Sequence, residues 1–389
     1  MNFYQSMRNL LRGTALLLVA VVPLMTGCKN FFIPVCQAYN TCTTTTTTTT
    51  TTPTTTPAAR SNSETPTPVA SKSYMYVANA ATGKIGAYSL TSGHLKNLTP
   101  SAYSLHVTPS VVAVTPSGKF LYVATASGPI YVYDVAGDGS LKLGQNGNAV
   151  AKALDPTWMS MDRAGNWLFV ASSSASQIQE FRIDPANGSL QPSAQPRISL
   201  DAGTPTQVYV RPDNKEVFIA LGVGGVDAAT FDANTGAFGA LMHTKTLKAG
   251  TFADNVMTSG AESKHLFIGE KGAGIRVMTI GNGGGLQEVS GSPFASQHSA
   301  PSSLVVDSTN SHLLAADLAD KTITGFRIGT NGSLAEVSRE AFSVAGSPTA
   351  LSIDPGGKYA LSLSDSGILT EQTFSFTGNS GATSTEAAR

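Results

Sequence analysis

The sequence predicts an all-β protein, a seven-bladed β-propeller of four-stranded antiparallel blades. Three observations carry this. A strand, loop and strand unit recurs seven times; a proline marks the units at near-constant spacing; and a glycine-centred turn recurs after the second strand.

The unit is clearest from Gly118 to Asp134, GKFLYVATASGPIYVYD. A glycine turn leads into a strand with Phe120, Tyr122 and Ala124 on one side and Leu121 and Val123 on the other. A small-residue loop and a second strand through Tyr131 and Tyr133 follow. The pattern returns over Ser73–Tyr88, Asn166–Phe181, Lys215–Phe231, Lys264–Met278, Ser311–Phe326 and Gly357–Phe374. A hairpin this short is not stable alone, so the copies must pack on one another.

The marker prolines are Pro109, Pro156, Pro205, Pro301 and Pro348, with intervals of 47, 49, 96 and 47 residues. The long interval is two repeats, and its midpoint falls at Ala253, where ADNVMT replaces PTQVYV. After each marker a short apolar strand is expected, as in Val112/Val114, Met159/Met161, Val208/Val210, Leu304/Val306 and Leu351/Ile353. We call it strand A, and the hairpin supplies B and C. The turns DGSL (Asp138–Leu141), NGSL (Asn187–Leu190), NTGAF (Asn234–Phe238), GGGL (Gly283–Leu286) and NGSL (Asn331–Leu334) then lead into strand D, because glycine supplies the positive φ of a tight hairpin. The first copy shows B, C and D but no apolar A. The last shows A, B and C before a polar tail.

Charge is sparse and balanced, 25 basic against 25 acidic residues, which excludes the basic footprint of a nucleic-acid binder. A monomer is expected. The 38 glycines suit short strands and tight turns, and no stretch past residue 60 keeps a helical period.

The amino terminus reads as an address. Arg8 and Arg12 precede the apolar run Ala15–Met25, which ends in Thr26, Gly27 and Cys28, the layout of a secretory signal too short to span a membrane comfortably. The tetrad Met25-Thr26-Gly27-Cys28 resembles the bacterial lipobox, which implies lipidation of Cys28 and anchoring in the cell envelope. Cys36 and Cys42 stand six residues apart, spaced for a small disulfide loop or, with no histidine or third thiol near, less suitably for a metal. Unbroken threonine from Thr43 to Thr52, then Pro53, Pro57, Pro66 and Pro68, predict an extended tether open to O-linked sugars, reaching on the order of 100 Å. The expected organisation is signal 1–27, linker 28–72, propeller 73–378 and tail 379–389.

The Pro-led strand, the Gly-Lys-Phe/Tyr turn, the LYVA-like strand and the Asn-Gly-Ser-Leu turn together resemble the seven-bladed lactonase family, which includes a bacterial 6-phosphogluconolactonase and lies close to the YVTN-repeat surface proteins. The likeness spans about residues 73 to 378 and implies a propeller acting on a sugar lactone. It also implies a Pro-Arg-His cluster at the start of the fifth strand A, a glutamate after the fifth B and an arginine after the sixth B. Here the first position reads Phe252-Ala253-Asp254-Asn255, Glu270 stands at the second, and Leu318 follows Asp317 at the third.

Ligands of propellers lie over the central channel, among the D–A and B–C loops. The positions after strand B are Asn79, Thr125, Ser172, Leu221, Glu270, Asp317 and Ser364, with Asp365 next to the last. Glu270 and Asp317 are the candidate acid and base. With Asp365 they form a carboxylate rim that suits a divalent cation or proton transfer, or else only caps turns; no other cofactor is implied. His106 and His298 each stand three residues before a marker proline, in loops reaching the channel mouth. Trp158, Gln207 and Asn255 open strands A and are placed to stack on or hydrogen-bond a sugar-like ring. His265 and His312 replace the aromatic that opens strand B and read as packing residues; His94 lies in a C–D turn and His243 follows strand D. No G-x-S-x-G elbow, H-E-x-x-H or Walker loop is present. Two functions stand: a surface lactone hydrolase, or a non-catalytic propeller binding a glycan, peptide or envelope protein.

Overall fold

The computed structural model describes residues 73–79, 83–91, 94–104, 107–246, 249–258, 264–295, 297–307, 309–337, 342–343, 346–353, 359–364, 369–373 and 384–386. They form seven antiparallel sheets, the blades of a β-propeller. Cys28, Cys36, Cys42, His106 and Asp365 lie outside the described residues.

Blade two shows the plan. Strand A (Pro109–Val114), B (Phe120–Thr125), C (Pro129–Val135) and D (Leu141–Leu143) pair in that order, and Ala151–Lys152 adds a second piece of D. Strand B is buried along its whole length, so it reads as a continuous apolar run. Its two sides serve different cores. Phe120, Tyr122 and Ala124 pack with Met159 and Leu168 of blade three, while Leu121 and Val123 pack with Tyr76 and Ile85 of blade one.

Seven such clusters join seven pairs of blades. The last, with Met75 and Val77 of blade one against Leu361 and Leu363 of blade seven, closes the ring. Strands A of neighbouring blades lie side by side around the axis.

The marker prolines open a recurring device. In blades two, three, six and seven the A–B register slips beside the proline, so one residue of strand A bulges. The hydroxyl that follows the proline then donates to a strand B carbonyl fourteen residues on: Ser110 to Ala124 (3.1 Å), Thr157 to Ala171 (3.4 Å), Ser302 to Ala316 (3.3 Å) and Thr349 to Leu363 (3.2 Å). A side-chain donor thus makes good what the bulge takes from the ladder. Thr206 donates to Ala220 in the same way, and also to Ala253 of blade five (3.2 Å to each).

Blades are laced at the opposite face. Tyr76 and Tyr122 donate their hydroxyls to Gly139 and Gly188 in the C–D turns of the next blades, at 2.7 and 2.8 Å, and Trp167 Nε1 donates to Ala233 (2.7 Å). The turn glycines lie on the first side chains of strand B. A Cβ at Gly236 would come within 2.6 Å of Trp167, and one at Gly332 within 2.5 Å of His265. His265 therefore occupies the aromatic position, as its place in the repeat predicts, and burial holds its imidazole below the usual range.

The two ends of the ring depart from the four-stranded plan, the first as the sequence reads and the second not. Blade one has three strands among the described residues, Ser73–Asn79, Lys84–Thr91 and His94–Ser104. The polar tail supplies Ser384–Glu386 as the fourth strand of blade seven, paired with Leu369–Thr373. An outermost strand buries little, so Ser-Thr-Glu serves there without any apolar signal in the sequence.

Candidate functional site at the channel face

The ends of strands B and the loops entering strands A share one face. In blade five, strand A (Phe252–Thr258) pairs with strand B (His265–Lys271), placing Ala253 opposite Glu270 and Asn255 opposite Gly269 around a bulge. Glu270 is 1% exposed, and its Oε1 accepts the Thr251 hydroxyl at 2.7 Å. Thr251 carries no sequence signal; it stands just before the place where the repeat's proline is missing.

That missing proline has a structural cause. Ala253 N donates to Gly222 O at 2.8 Å, and Gly222 N donates to Ala253 O at 3.0 Å. Proline has no N–H for the first of these bonds. The B–C loop of blade four is thereby stitched to strand A of blade five, at the position where the resemblance implies the proline of a Pro-Arg-His cluster.

Asp317 ends strand B of blade six (His312–Asp317) and is 2% exposed. Its Oδ2 accepts Ala300 N at 2.8 Å, and its Oδ1 accepts Ala319 N and Asp320 N, each at 2.9 Å. This carboxylate is a turn cap, yet it is not alone. His298, from the loop entering blade six, lies 3.3 Å from Asp320 (Nδ1 to Oδ2), and one ligand atom each from His298, Asp317 and Asp320 lie within 4.8 Å of one another. Two residues singled out separately in the sequence, His298 and Asp317, therefore meet. Asp320, three positions after Asp317, completes the group; the only signal for it was a second aspartate in the same loop. Glu270 is outside this group.

Trp158 is partly buried and packs against the core between blades three and four. Gln207 opens strand A of blade four opposite Ala220 and is 8% exposed.

Other titratable groups lie away from the channel. His243, in the outer strand of blade four, pairs with buried Asp227 (Nδ1 to Oδ1, 2.8 Å); burial pushes the Asp227 carboxyl up and His243 draws it back. Glu180, in strand C of blade three, is fully buried, and neither carboxylate oxygen has a hydrogen-bond partner. Burial pushes its pKa up to about 7, countered only in part by the nearby Ser193 hydroxyl. A cleft of about 430 Å³ lies on the face opposite the channel loops, lined by Arg211, Glu216, Lys264 and the turn Gly281–Gly283. There Glu216 already accepts from Arg211 at 2.8 Å.

Comparison with known proteins agrees with this architecture. The family model described as lactonase, 7-bladed beta-propeller matches residues 65–210 and 122–265, together more than half of the chain. The 6-phosphogluconolactonase of Formosa agariphila is 34% identical over 127 residues, 30% of this chain and 35% of that protein, so the match spans about a third of that relative's length. The periplasmic gluconolactonase of Pseudomonas aeruginosa superposes with a TM-score of 0.66 at 19% identity, covering 81% of this chain and 96% of that one. A protein described as a putative 6-phosphogluconolactonase of Bacteroides fragilis gives 0.58 at 17% identity, over 72% and 83%. Sqt1 of Saccharomyces cerevisiae gives 0.56 at 13% identity, over 79% and 82%. At such identities these structures speak for the fold alone. With its blades, its strand order and the family match in agreement, the chain belongs to the lactonase family of seven-bladed β-propellers.

Proposed function

We propose that the chain is an exported, lipid-anchored protein that hydrolyses a sugar lactone at the channel face. The family match, with its similarity to a 6-phosphogluconolactonase, carries this reading. A carboxylate held at the channel end of strand B, as Thr251 holds Glu270, is placed to take a proton from water attacking a lactone carbonyl.

The substrate class is an unphosphorylated sugar lactone. Phosphate esters are recognised through arginine and lysine. The seven repeat-equivalent positions from Asn79 round to Ser364 carry neither, Lys271 beside Glu270 is the one basic residue that ends a strand B, and the expected arginine after Asp317 is Leu318. The Cys28 tetrad and the threonine-rich tether support display in the envelope, with the propeller held clear of lipid.

One observation favours the second reading, a non-catalytic propeller that binds a glycan, peptide or envelope protein. Asp254 and Asn255 stand where the resemblance implies Arg and His, and both candidate carboxylates are buried and hydrogen-bonded. Proton release from gluconolactone, with Glu270→Gln alongside wild type, separates the two: a rate equal to buffer leaves only the binding protein. Palmitate labelling of wild type and Cys28→Ser tests the anchor, and equal labelling removes it.

A further inference from the structure

Strand C of blade six (Thr322–Ile328) holds two hydroxyl oxygens that are buried and have no hydrogen-bond partner, Thr322 Oγ1 and Thr324 Oγ1. Thr324 is 1% exposed. A buried hydroxyl without a partner carries a desolvation cost and calls for a reason. Thr322 stands directly opposite Asp317 in the B–C register. Residues so paired put their side chains on the same face of the sheet, with Cβ atoms about 4.5–5.5 Å apart. Thr322 therefore shares its face of the sheet with Asp317, on whose carboxylate His298 and Asp320 converge.

We propose that His298, Asp317 and Asp320, with Thr322 on the same face of the sheet, bind one divalent transition-metal ion of the zinc class. The donors are an imidazole and two carboxylates from two separate loops, the D–A loop entering blade six and the B–C loop within it. Imidazole selects zinc-like ions over calcium and magnesium, which prefer all-oxygen shells. Asp317 supplies a preset ligand, because its three backbone N–H bonds fix the carboxylate before any ion arrives. Asp320, 49% exposed at its side chain, and His298, 18% exposed, leave a way in from solvent. An ordinary turn cap beside a surface ion pair would account for Asp317 and for the His298–Asp320 contact, but it leaves Thr322 without a purpose. The ion would clamp the two loops together, a role that stands whether or not the chain opens lactones.

The test uses untagged full-length protein, stripped with chelator and titrated with Zn²⁺ by calorimetry and thermal melting. One equivalent should bind and raise the melting temperature. His298→Ala and Asp320→Asn should each weaken binding by at least about tenfold, with the metal-free melting temperature unchanged, and Thr322→Val should weaken it less. Co²⁺ should give an absorption spectrum without a thiolate charge-transfer band. Absence of stoichiometric binding, wild-type affinity in both the His298 and Asp320 variants, or a thiolate band that tracks the bound ion would each overturn the site.

Discussion

The carboxylate of Glu371, in the third strand of blade seven, accepts the backbone N–H of Leu95, in the last strand of blade one, with Oε2 and N 3.1 Å apart. These residues are 276 positions apart in the chain. Their bond lies where blades one and seven meet, beside the apolar cluster of Met75, Val77, Leu361 and Leu363. Hydrogen bonds to charged groups contribute about 1.5–3 kcal/mol. Glu371→Ala is therefore expected to cost about that much and to lower the melting temperature by a few degrees, read from denaturant melts; an unmoved midpoint would mean that the apolar cluster alone holds the ring.

Blade five offers a test in which the repeat's own preference misleads. Restoring the consensus with Ala253→Pro should destabilise the protein by about 1–3 kcal/mol, because the Gly222 carbonyl loses its donor at the blade four to five joint. A gain in stability, the usual result of moving toward a repeat consensus, would show that the bridge contributes nothing.

Glu180 gives a pH dependence with a definite sign. Its pKa is about 7 when folded, against roughly 4.3 for an unperturbed glutamate. Between these values the native state keeps a proton that the unfolded chain has lost. Its contribution is thus fully present below about pH 4.3, is lost as pH rises through the folded value, and changes no further above it. The difference in stability between wild type and Glu180→Gln should drift across that window, with wild type losing ground as pH rises. A constant difference from pH 4 to pH 8 would place Glu180 in contact with solvent.

Much of the fold was legible because the repeat is dictated by packing. Phe120, Tyr122 and Ala124 must face one neighbour while Leu121 and Val123 face the other, so the same apolar run had to be written seven times. His265 could be placed from sequence because the turn glycine at Gly332 needs a flat ring beneath it. Ser384–Glu386 escaped because an outer strand has no apolar face to show. The site was less legible, since its members are joined by loops. His298 and Asp317 could be marked one at a time, but their meeting with Asp320 depends on how two loops fold over one blade edge. Glu180 gave no sign of itself, because a lone carboxylate in an alternating strand looks solvated until the next blade covers it.

The most direct measurement is the rate of proton release from gluconolactone and from its 6-phosphate ester, followed with wild type and with Glu270→Gln of matched melting temperature. Wild type is expected to open the unphosphorylated lactone faster than buffer, to favour it over the phosphate ester, and to lose at least about a hundredfold with Glu270→Gln. Opening of both lactones at the buffer rate by folded wild-type protein would contradict the proposed hydrolysis.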